Sequence, residues 1–180
     1  MPIIVLDPGH GGSDPGAIGN GLQEKNLALT IGLKVKAYLE SNYGADVRMT
    51  RSTDVFIELS QRSAFANGLG ASYFVSLHHN AGGGTGFESF VYTGTRETET
   101  GRRQDVVHAE IMKFYSQYGL RDRGKKVANF AVLRGTSMPA ILLENLFMDS
   151  VNDTNLLKSA SFIQGLSNAI GLGIAKALNL

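Results

Sequence analysis

The chain has 180 residues, and its 17 lysine and arginine residues nearly balance its 16 aspartate and glutamate residues, which leaves a net charge of +1. This balance excludes the large cationic surplus from which nucleic-acid binders gain much of their affinity. The length predicts one domain with a core of its own, and the absence of cysteine excludes a disulfide scaffold, a thiolate metal site and a cysteine nucleophile.

Short apolar runs alternate with amphipathic segments from the first residues onward. Residues 3–6 are aliphatic and precede Asp-Pro-Gly, which is typical of a strand buried on both faces. A glycine-rich loop at residues 9–21 follows. In residues 24–41 the apolar side chains recur every three or four positions, which predicts a helix, and Gly44 predicts its end.

The later segments continue this alternation. Runs of β-branched, aromatic or aliphatic residues predict strands at residues 45–50, 72–77, 87–92, 131–133 and 140–143. Helices are predicted at residues 59–69, 104–118 and 160–178. This order predicts a single α/β domain over residues 1–180, with a largely parallel sheet and helices on both faces.

Neither end of the chain carries a targeting pattern. The first seven residues lack the basic and apolar segments of a secretory leader, so we expect synthesis in the cytoplasm and release by lysis or by a separate route. Residues 162–180 are apolar but interrupted by polar side chains, which predicts a packed terminal helix and no membrane span.

Two histidines and one glutamate are predicted to meet at one edge of the sheet. His10 and His78 follow the first and third strands, and ligands in such folds gather at the carboxyl ends of parallel strands. Glu24 shares a helix face with Leu27 and Ile31, where an unpaired carboxylate needs a cation or a full set of hydrogen bonds. The three side chains together have the composition of a metal site, although each alone also fits a turn or a helix start.

Glu144 stands where the predicted strand at residues 140–143 ends. A general base that acts on water beside a metal ion needs this kind of rigid, partly desolvated placement. The alternative is that Glu144 pairs with an arginine such as Arg51 or Arg62, and spacing alone does not separate the two interpretations.

Two further patterns indicate no additional chemistry. The glycine-rich loop lacks the phosphate-binding and dinucleotide-binding motifs, and Ser13 lacks the context of a serine-hydrolase elbow. The basic cluster of Arg121, Arg123, Lys125 and Lys126 is interpreted as a solvated loop, with a surface for an anionic polymer as the alternative.

Five short segments form a pattern through their order and spacing. They are residues 6–12 (Leu-Asp-Pro-Gly-His-Gly-Gly), Glu24 at a helix start, Thr50-Arg51 followed by Leu59 and Arg62, residues 76–81 (Ser-Leu-His-His-Asn-Ala) and residues 138–144 (Met-Pro-Ala-Ile-Leu-Leu-Glu). Together they resemble the zinc-dependent N-acetylmuramoyl-L-alanine amidases of the type 3 amidase family, found in autolysins and phage endolysins. The resemblance runs from about residue 3 to the C-terminus.

The resemblance implies a mixed sheet flanked by helices and one zinc ion held by His10, Glu24 and His78, with Glu144 as the catalytic carboxylate. Three protein ligands leave a coordination position for water, as in catalytic zinc sites. The family's reaction is hydrolysis of the amide bond between N-acetylmuramic acid and the L-alanine of the peptidoglycan stem peptide. We therefore expect a monomeric hydrolase whose partner is peptidoglycan.

The chain departs from the family pattern at two places. His79 stands where the family usually has a small residue, and strand alternation places His78 and His79 on opposite sides of their strand, so the motif alignment selects His78 as the ligand. Residues 145–147 (Asn-Leu-Phe) replace the usual Gly-Phe after Glu144, which is expected to alter the floor of the cleft. A non-catalytic wall-binding module and an iron oxygenase are the alternative functions.

Overall fold

The computed structural model describes residues 1–180. Its strands are β1 (Ile3–Pro8), β2 (Ile18–Gly19), β3 (Leu22–Gln23), β4 (Asp46–Met49), β5 (Tyr73–Asn80), β6 (Phe87–Tyr92), β7 (Asp122–Ala128) and β8 (Ala140–Phe147). Its helices are α1 (Glu24–Tyr43), α2 (Leu59–Gly68), α3 (Glu99–Ser116), α4 (Ala131–Gly135), α5 (Val151–Leu157) and α6 (Ala160–Leu178).

Six strands form one sheet in the order β4-β1-β5-β8-β6-β7, and β2 and β3 form a separate antiparallel pair. Strands β4, β1, β5 and β8 run parallel, whereas β6 is antiparallel to β8 and parallel to β7. The prediction of a single α/β domain with a mixed, largely parallel sheet is confirmed. Because of the reversal, the carboxyl ends of β1, β5 and β8 share an edge with the amino ends of β6 and β7.

Helices cover both faces of the sheet, but unequally. On one face, α1, α3 and α6 bury the larger core cluster, which has 28 buried residues. On the other face, α2 and α4 cover a cluster of only 8 buried residues. The thinner cover leaves room for a cleft on that face, beside the carboxyl ends of the central strands.

Helix α1 packs on the opposite face of the sheet, and its first residue, Glu24, lines this cleft. Its buried apolar side chains recur every three or four residues and face the sheet: Leu27, Ile31, Val35 and Leu39. Each such buried side chain stabilises the fold by roughly 1.5–3 kcal/mol. The helix ends where Gly44 adopts a φ of 60°, which suits glycine because it has no Cβ, and its amide bonds to the Glu40 carbonyl at 3.0 Å.

One predicted segment has the wrong type, one begins five residues too late, and three short elements were not predicted. The predicted strand at residues 131–133 is wrong, because these residues belong to helix α4 and bury Val132 and Leu133 against the smaller core. A short apolar run does not distinguish a buried strand from one helical turn. Helix α3 begins at Glu99, five residues before the predicted start at residue 104, after an N-cap at Thr98. The hairpin β2–β3 and helix α5 were not predicted.

The interpretation of the basic cluster as a solvated loop is also wrong. Residues 122–128 form β7, an edge strand that pairs only with β6. Charged side chains are common on edge strands, because they discourage pairing with another chain. Because β7 contains several cations and few apolar residues, apolar alternation did not predict this strand.

Strand β8 continues past the predicted end at residue 143. Glu144 lies within it, and the strand extends to Phe147 after a register shift against β5 between His78 and Asn80. Leu146 has a φ of 67°, so the backbone turns sharply there. No helix of the structure has both the length and the apolar character required to cross a membrane.

Candidate metal centre and catalytic carboxylate

His10 leaves the carboxyl end of β1 in a left-handed backbone conformation, with a φ of 61°. A bridge between the backbones of Gly11 and Asp14 closes the turn, with N–O distances of 2.8 and 3.0 Å. The His10 Nδ1 lies 2.8 Å from Asp14 Oδ2, so this carboxylate orients the ring and directs Nε2 toward Glu24. Burial lowers the pKa of His10, but hydrogen bonds to Glu24 and Asp14 outweigh it and raise the pKa to about 9.

Glu24 places a buried carboxylate between two imidazoles. Its Oε1 lies 3.1 Å from His10 Nε2 and 3.1 Å from His78 Nδ1, and it accepts the His79 amide at 3.0 Å. Its Oε2 accepts the Ala17 amide at 2.9 Å. Burial raises the pKa of Glu24, but the hydrogen bonds from the imidazoles and the Ala17 amide hold it well below its usual range. The group therefore stays anionic.

His78 lies in β5 and completes the cluster. Its Nε2 is 3.1 Å from Ser76 Oγ, and its ring centroid is 5.0 Å from that of His10. Gly9 allows this approach, because a Cβ at that position would lie 2.3 Å from the His78 ring. His10, Glu24 and His78 each offer one ligand atom, and these atoms lie within 4.8 Å of one another. The three side chains thus form a group that can bind a metal ion.

The neighbouring imidazole of His79 lies outside this cluster. Its side chain is 3% exposed, its Nδ1 donates to the Asn145 carbonyl oxygen, and its Nε2 has no partner. Burial disfavours the charged ring and lowers the pKa of His79 to about 4. The structure therefore separates the two adjacent histidines in the way that strand alternation predicts.

Glu144 lies on β8, which stands between β5 and β6 in the sheet. It is in register with His78 of β5 on one side and with Glu88 of β6 on the other. Its Oε2 is buried and has no hydrogen-bond partner. Burial raises the pKa of Glu144 to about 7, since the attraction of His78 only partly offsets the lost hydration.

The two arginines named as alternative partners of this carboxylate are bound elsewhere. Arg51 donates to the carbonyl oxygen of Pro8 at 2.9 Å. Arg62 pairs with Asp7 at 2.9 Å and donates to the carbonyl oxygen of His10 at 2.8 Å. The alternative of a pair between Glu144 and either arginine is therefore wrong. Both arginines instead fix the backbone that carries His10.

A cleft of about 610 Å³ opens over these side chains. Apolar side chains form part of its lining, and His10, His78 and Glu144 line it at the ends of β1, β5 and β8. The apolar wall residues are Phe56, Ile57, Leu59, Phe130 and Val132. A cleft that combines apolar lining with a few polar groups is typical of a ligand site.

Sequence reasoning missed the residues that support the cluster. Asp14 orients His10 and Ser76 contacts His78, yet neither was singled out. Asp14 lies four residues after His10, and this spacing within a glycine-rich turn was the available signal. Ser76 shares its strand face with His78, two residues away, so alternation could also have found it.

Comparison with known proteins agrees with this geometry. The family model described as N-acetylmuramoyl-L-alanine amidase matches residues 4–176. The chain is 49% identical to N-acetylmuramoyl-L-alanine amidase CwlM of Bacillus licheniformis over 181 residues, covering 100% of this chain and 70% of that protein. It is 47% identical to the endolysin of Bacillus phage SPP1 over 180 residues, covering 99% of this chain and 66% of that protein.

A solved structure has the same fold over almost its whole length. The catalytic domain of CwlV, an N-acetylmuramoyl-L-alanine amidase from Bacillus (Paenibacillus) polymyxa, superposes with a TM-score of 0.92 at 34% identity and covers 99% of each chain. The match of fold, of sequence and of the family model leads to one conclusion: this chain belongs to the N-acetylmuramoyl-L-alanine amidase family.

Proposed function

We propose that the chain is a zinc-dependent hydrolase that cleaves the amide bond between N-acetylmuramic acid and the L-alanine of the peptidoglycan stem peptide. One observation carries this proposal: ligand atoms of His10, Glu24 and His78 lie within 4.8 Å of one another, beside the unpaired carboxylate of Glu144. Family membership supplies the bond that is cut, since the matching family model and relatives carry the name of this amidase.

The donor set fits one zinc ion. Two imidazole nitrogens and one carboxylate oxygen, with no thiolate in the chain, match the ligands of catalytic zinc sites. When bound by His10, Glu24 and His78, zinc supplies a Lewis acid for the amide carbonyl and lowers the pKa of water to about 7. The Asp14 carboxylate and the Glu24 hydrogen bonds hold the rings in place before the ion arrives.

Glu144 acts as the proton carrier in this proposal. Its Oε2 is free of protein partners and takes the proton of the attacking water as the carbonyl carbon gains its new C–O bond. When the C–N bond breaks, the carboxyl returns that proton to the departing amine nitrogen. A carboxyl with a pKa of about 7 is suited to both transfers near neutral pH.

The biological role follows from the substrate. Residues 1–180 would form the catalytic domain, a monomer acting at the bacterial cell wall in lysis or remodelling. The name of the phage relative fits a lytic role, and that of the CwlM relative fits a bacterial amidase. A non-catalytic wall-binding module would have no use for the buried, unpaired carboxylate of Glu144. Family membership favours an amidase over an iron oxygenase.

Mass spectrometry of the fragments released from purified peptidoglycan tests the proposal. We expect free stem peptides with an N-terminal L-alanine and glycan strands with intact lactyl groups. Addition of a chelator should stop their release, and zinc should restore it. Release of peptides cut at any other bond, or undiminished release after chelation, would contradict the proposal.

A further inference from the structure

A second cavity lies beside the cleft, at the edge where β5 and β8 end and β7 begins. It has a volume of about 550 Å³, and we call it the edge pocket. It is lined by residues 82–85, Arg121, Arg123, Phe147, Asp149, Ser150 and Asn152. Ala81 lines the cleft and the next residue lines the edge pocket, so the two cavities share one loop as their boundary. Nothing in the proposed chemistry uses the edge pocket.

Arg123 presents a fixed guanidinium to the edge pocket. Its Nε donates to Glu88 Oε2 at 3.2 Å, and its guanidinium carbon lies 4.8 Å from the centre of the Phe147 ring. A Cβ at Gly84 would lie 2.6 Å from that ring and 3.2 Å from Arg123 Nη1, so glycine allows the loop to pack closely against both side chains. The two terminal nitrogens have no protein partner and form a fork that matches a carboxylate.

Arg121 adds a second guanidinium to the edge pocket. Its side chain is exposed and takes part in no ion pair or hydrogen bond within the protein, whereas its carbonyl oxygen accepts the Phe87 amide at 2.9 Å. The opposing charge is Asp149, whose Oδ2 already accepts the amides of Gly82 and Gly83 at 2.9 and 2.7 Å. Arg123 shares the Glu88 carboxylate with Lys126, so Arg121, Arg123 and Lys126 face only Glu88 and Asp149, and one positive charge remains in surplus at the edge pocket.

The side chains of the cleft have the opposite charge balance. Asp14, Glu58 and Glu144 line it, and its arginine, Arg62, is already paired with Asp7. Away from the metal ion proposed at His10, Glu24 and His78, a negatively charged group of a ligand is therefore attracted by the side chains of the edge pocket and not by the carboxylates of the cleft. The two cavities select different parts of one substrate.

The sheet sets the distance between the metal cluster and the edge pocket. His78, Glu144 and Glu88 lie in register on three neighbouring strands, and Arg123 is bonded to Glu88. Two strand spacings amount to roughly 10 Å. About three extended peptide residues cover that distance. A group on the second or third residue after the cleaved amide therefore reaches the edge pocket.

We propose that the edge pocket binds a carboxylate on the second or third residue of the stem peptide, through the unpaired guanidinium nitrogens of Arg121 and Arg123. This assignment rests on the proposed amidase function. It gives the two arginines of the basic cluster a role as an anion subsite, and it makes the enzyme selective for stem peptides whose carboxylates are free over those in which they are amidated.

Hydrolysis of paired synthetic substrates tests the assignment. The substrates are N-acetylmuramoyl tripeptides that carry either carboxylates or carboxamides on the second and third residues. We expect wild-type kcat/KM to favour the carboxylate form by about tenfold, which is the difference expected from one charge-assisted hydrogen bond. Arg121→Gln and Arg123→Gln should each reduce this preference toward one. Arg48→Gln, a matched change at the distant β4 edge, should keep it.

Binding measured by calorimetry separates this assignment from the proposed function. The inactive Glu144→Gln protein should bind the carboxylate tripeptide about tenfold more tightly than the carboxamide, and adding Arg121→Gln should remove the difference. The exposed Arg121 side chain makes no hydrogen bond or ion pair within the protein, so this variant should unfold at the wild-type temperature. Equal affinity for both tripeptides would overturn the edge-pocket assignment even if hydrolysis occurs, and failure of hydrolysis alone would overturn only the amidase proposal.

Discussion

Glu24 and Glu144 are buried carboxyl groups of one cleft, yet their surroundings give them opposite properties. Two imidazoles and two backbone amides surround Glu24 and keep it charged, as a metal ligand requires. Glu144 has a buried oxygen without a partner, and burial raises its pKa to about 7. Environments that push two pKa values apart support the proposed ligand role of the first group and the proposed proton transfer by the second.

Replacement of Glu144 by glutamine removes the proton carrier while preserving the shape of the side chain. We expect Glu144→Gln to bind zinc with unchanged stoichiometry and to hydrolyse purified cell walls about 10²–10⁴-fold more slowly, the usual loss for a general acid–base group. Metal analysis and an assay of released amines check this. Turnover close to that of the wild type would exclude Glu144 from the mechanism.

The two adjacent histidines provide a matched pair of variants. His78→Ala should lose zinc on dialysis, because a ligand of the cluster is gone, whereas His79→Ala should retain it, because this ring faces Asn145. Elemental analysis of both dialysed proteins measures the difference. If His79→Ala emptied the site and His78→Ala did not, the ligand assignment would have to be reversed.

At the scale of elements, a buried ion pair ties the end of β1 to α2. Arg62 and Asp7 are 3% and 0% exposed in their side chains, and the pair holds the backbone that carries His10. Arg62→Met should lower the free energy of unfolding by about 3–5 kcal/mol, because it leaves the Asp7 charge buried without its cation. Denaturant unfolding measures this, with the exposed Arg48→Met as control; equal stability of the two variants would contradict it.

A buried histidine, His108, lies where α3 packs on the sheet, and its protonation is linked to unfolding. His108 bonds to Ser89 at 2.8 Å and Asp122 at 2.9 Å, and burial lowers its pKa below 6.5 despite the attraction of Asp122. Below pH 6.5 the unfolded chain takes up a proton that the folded ring resists, so this contribution to stability falls as pH falls.

Comparison with a variant that lacks the imidazole isolates this effect. The stability difference between wild type and His108→Gln should be larger at pH 7.5 than at pH 5.5. Urea unfolding of both proteins across this range gives the difference and cancels the titration of other groups. A difference that stays constant or grows on acidification would show that the ring is protonated in the fold.

The elements predicted correctly from the sequence are those whose apolar residues recur with a clear helical or strand spacing. Helix α1 and the central strands bury one face or both, so their pattern is visible in the chain. Strand β7 was missed because an edge strand needs cations more than apolar side chains, and α4 was mistaken for a strand because it has a single apolar turn. The pairing of cations with Glu88 is long-range and has no local signal.

At the scale of the whole molecule, sheet order decides what meets at the site. Chain order alone indicated that His10 and His78 share an edge, because both follow parallel strands. The reversal of β6 was not predictable from its composition, yet it brings the start of β7 to the same edge and creates the edge pocket. The metal cluster was therefore foreseeable from sequence, whereas the cationic subsite required the topology.

The most direct test of the central claim is anomalous X-ray scattering at the zinc edge from crystals of the zinc-loaded protein. We expect one strong peak within about 2.0–2.2 Å of nitrogen or oxygen atoms of His10, Glu24 and His78, with the remaining side open to the cleft. A peak bound by other residues, or an ion enclosed on all four sides by protein atoms, would contradict the account.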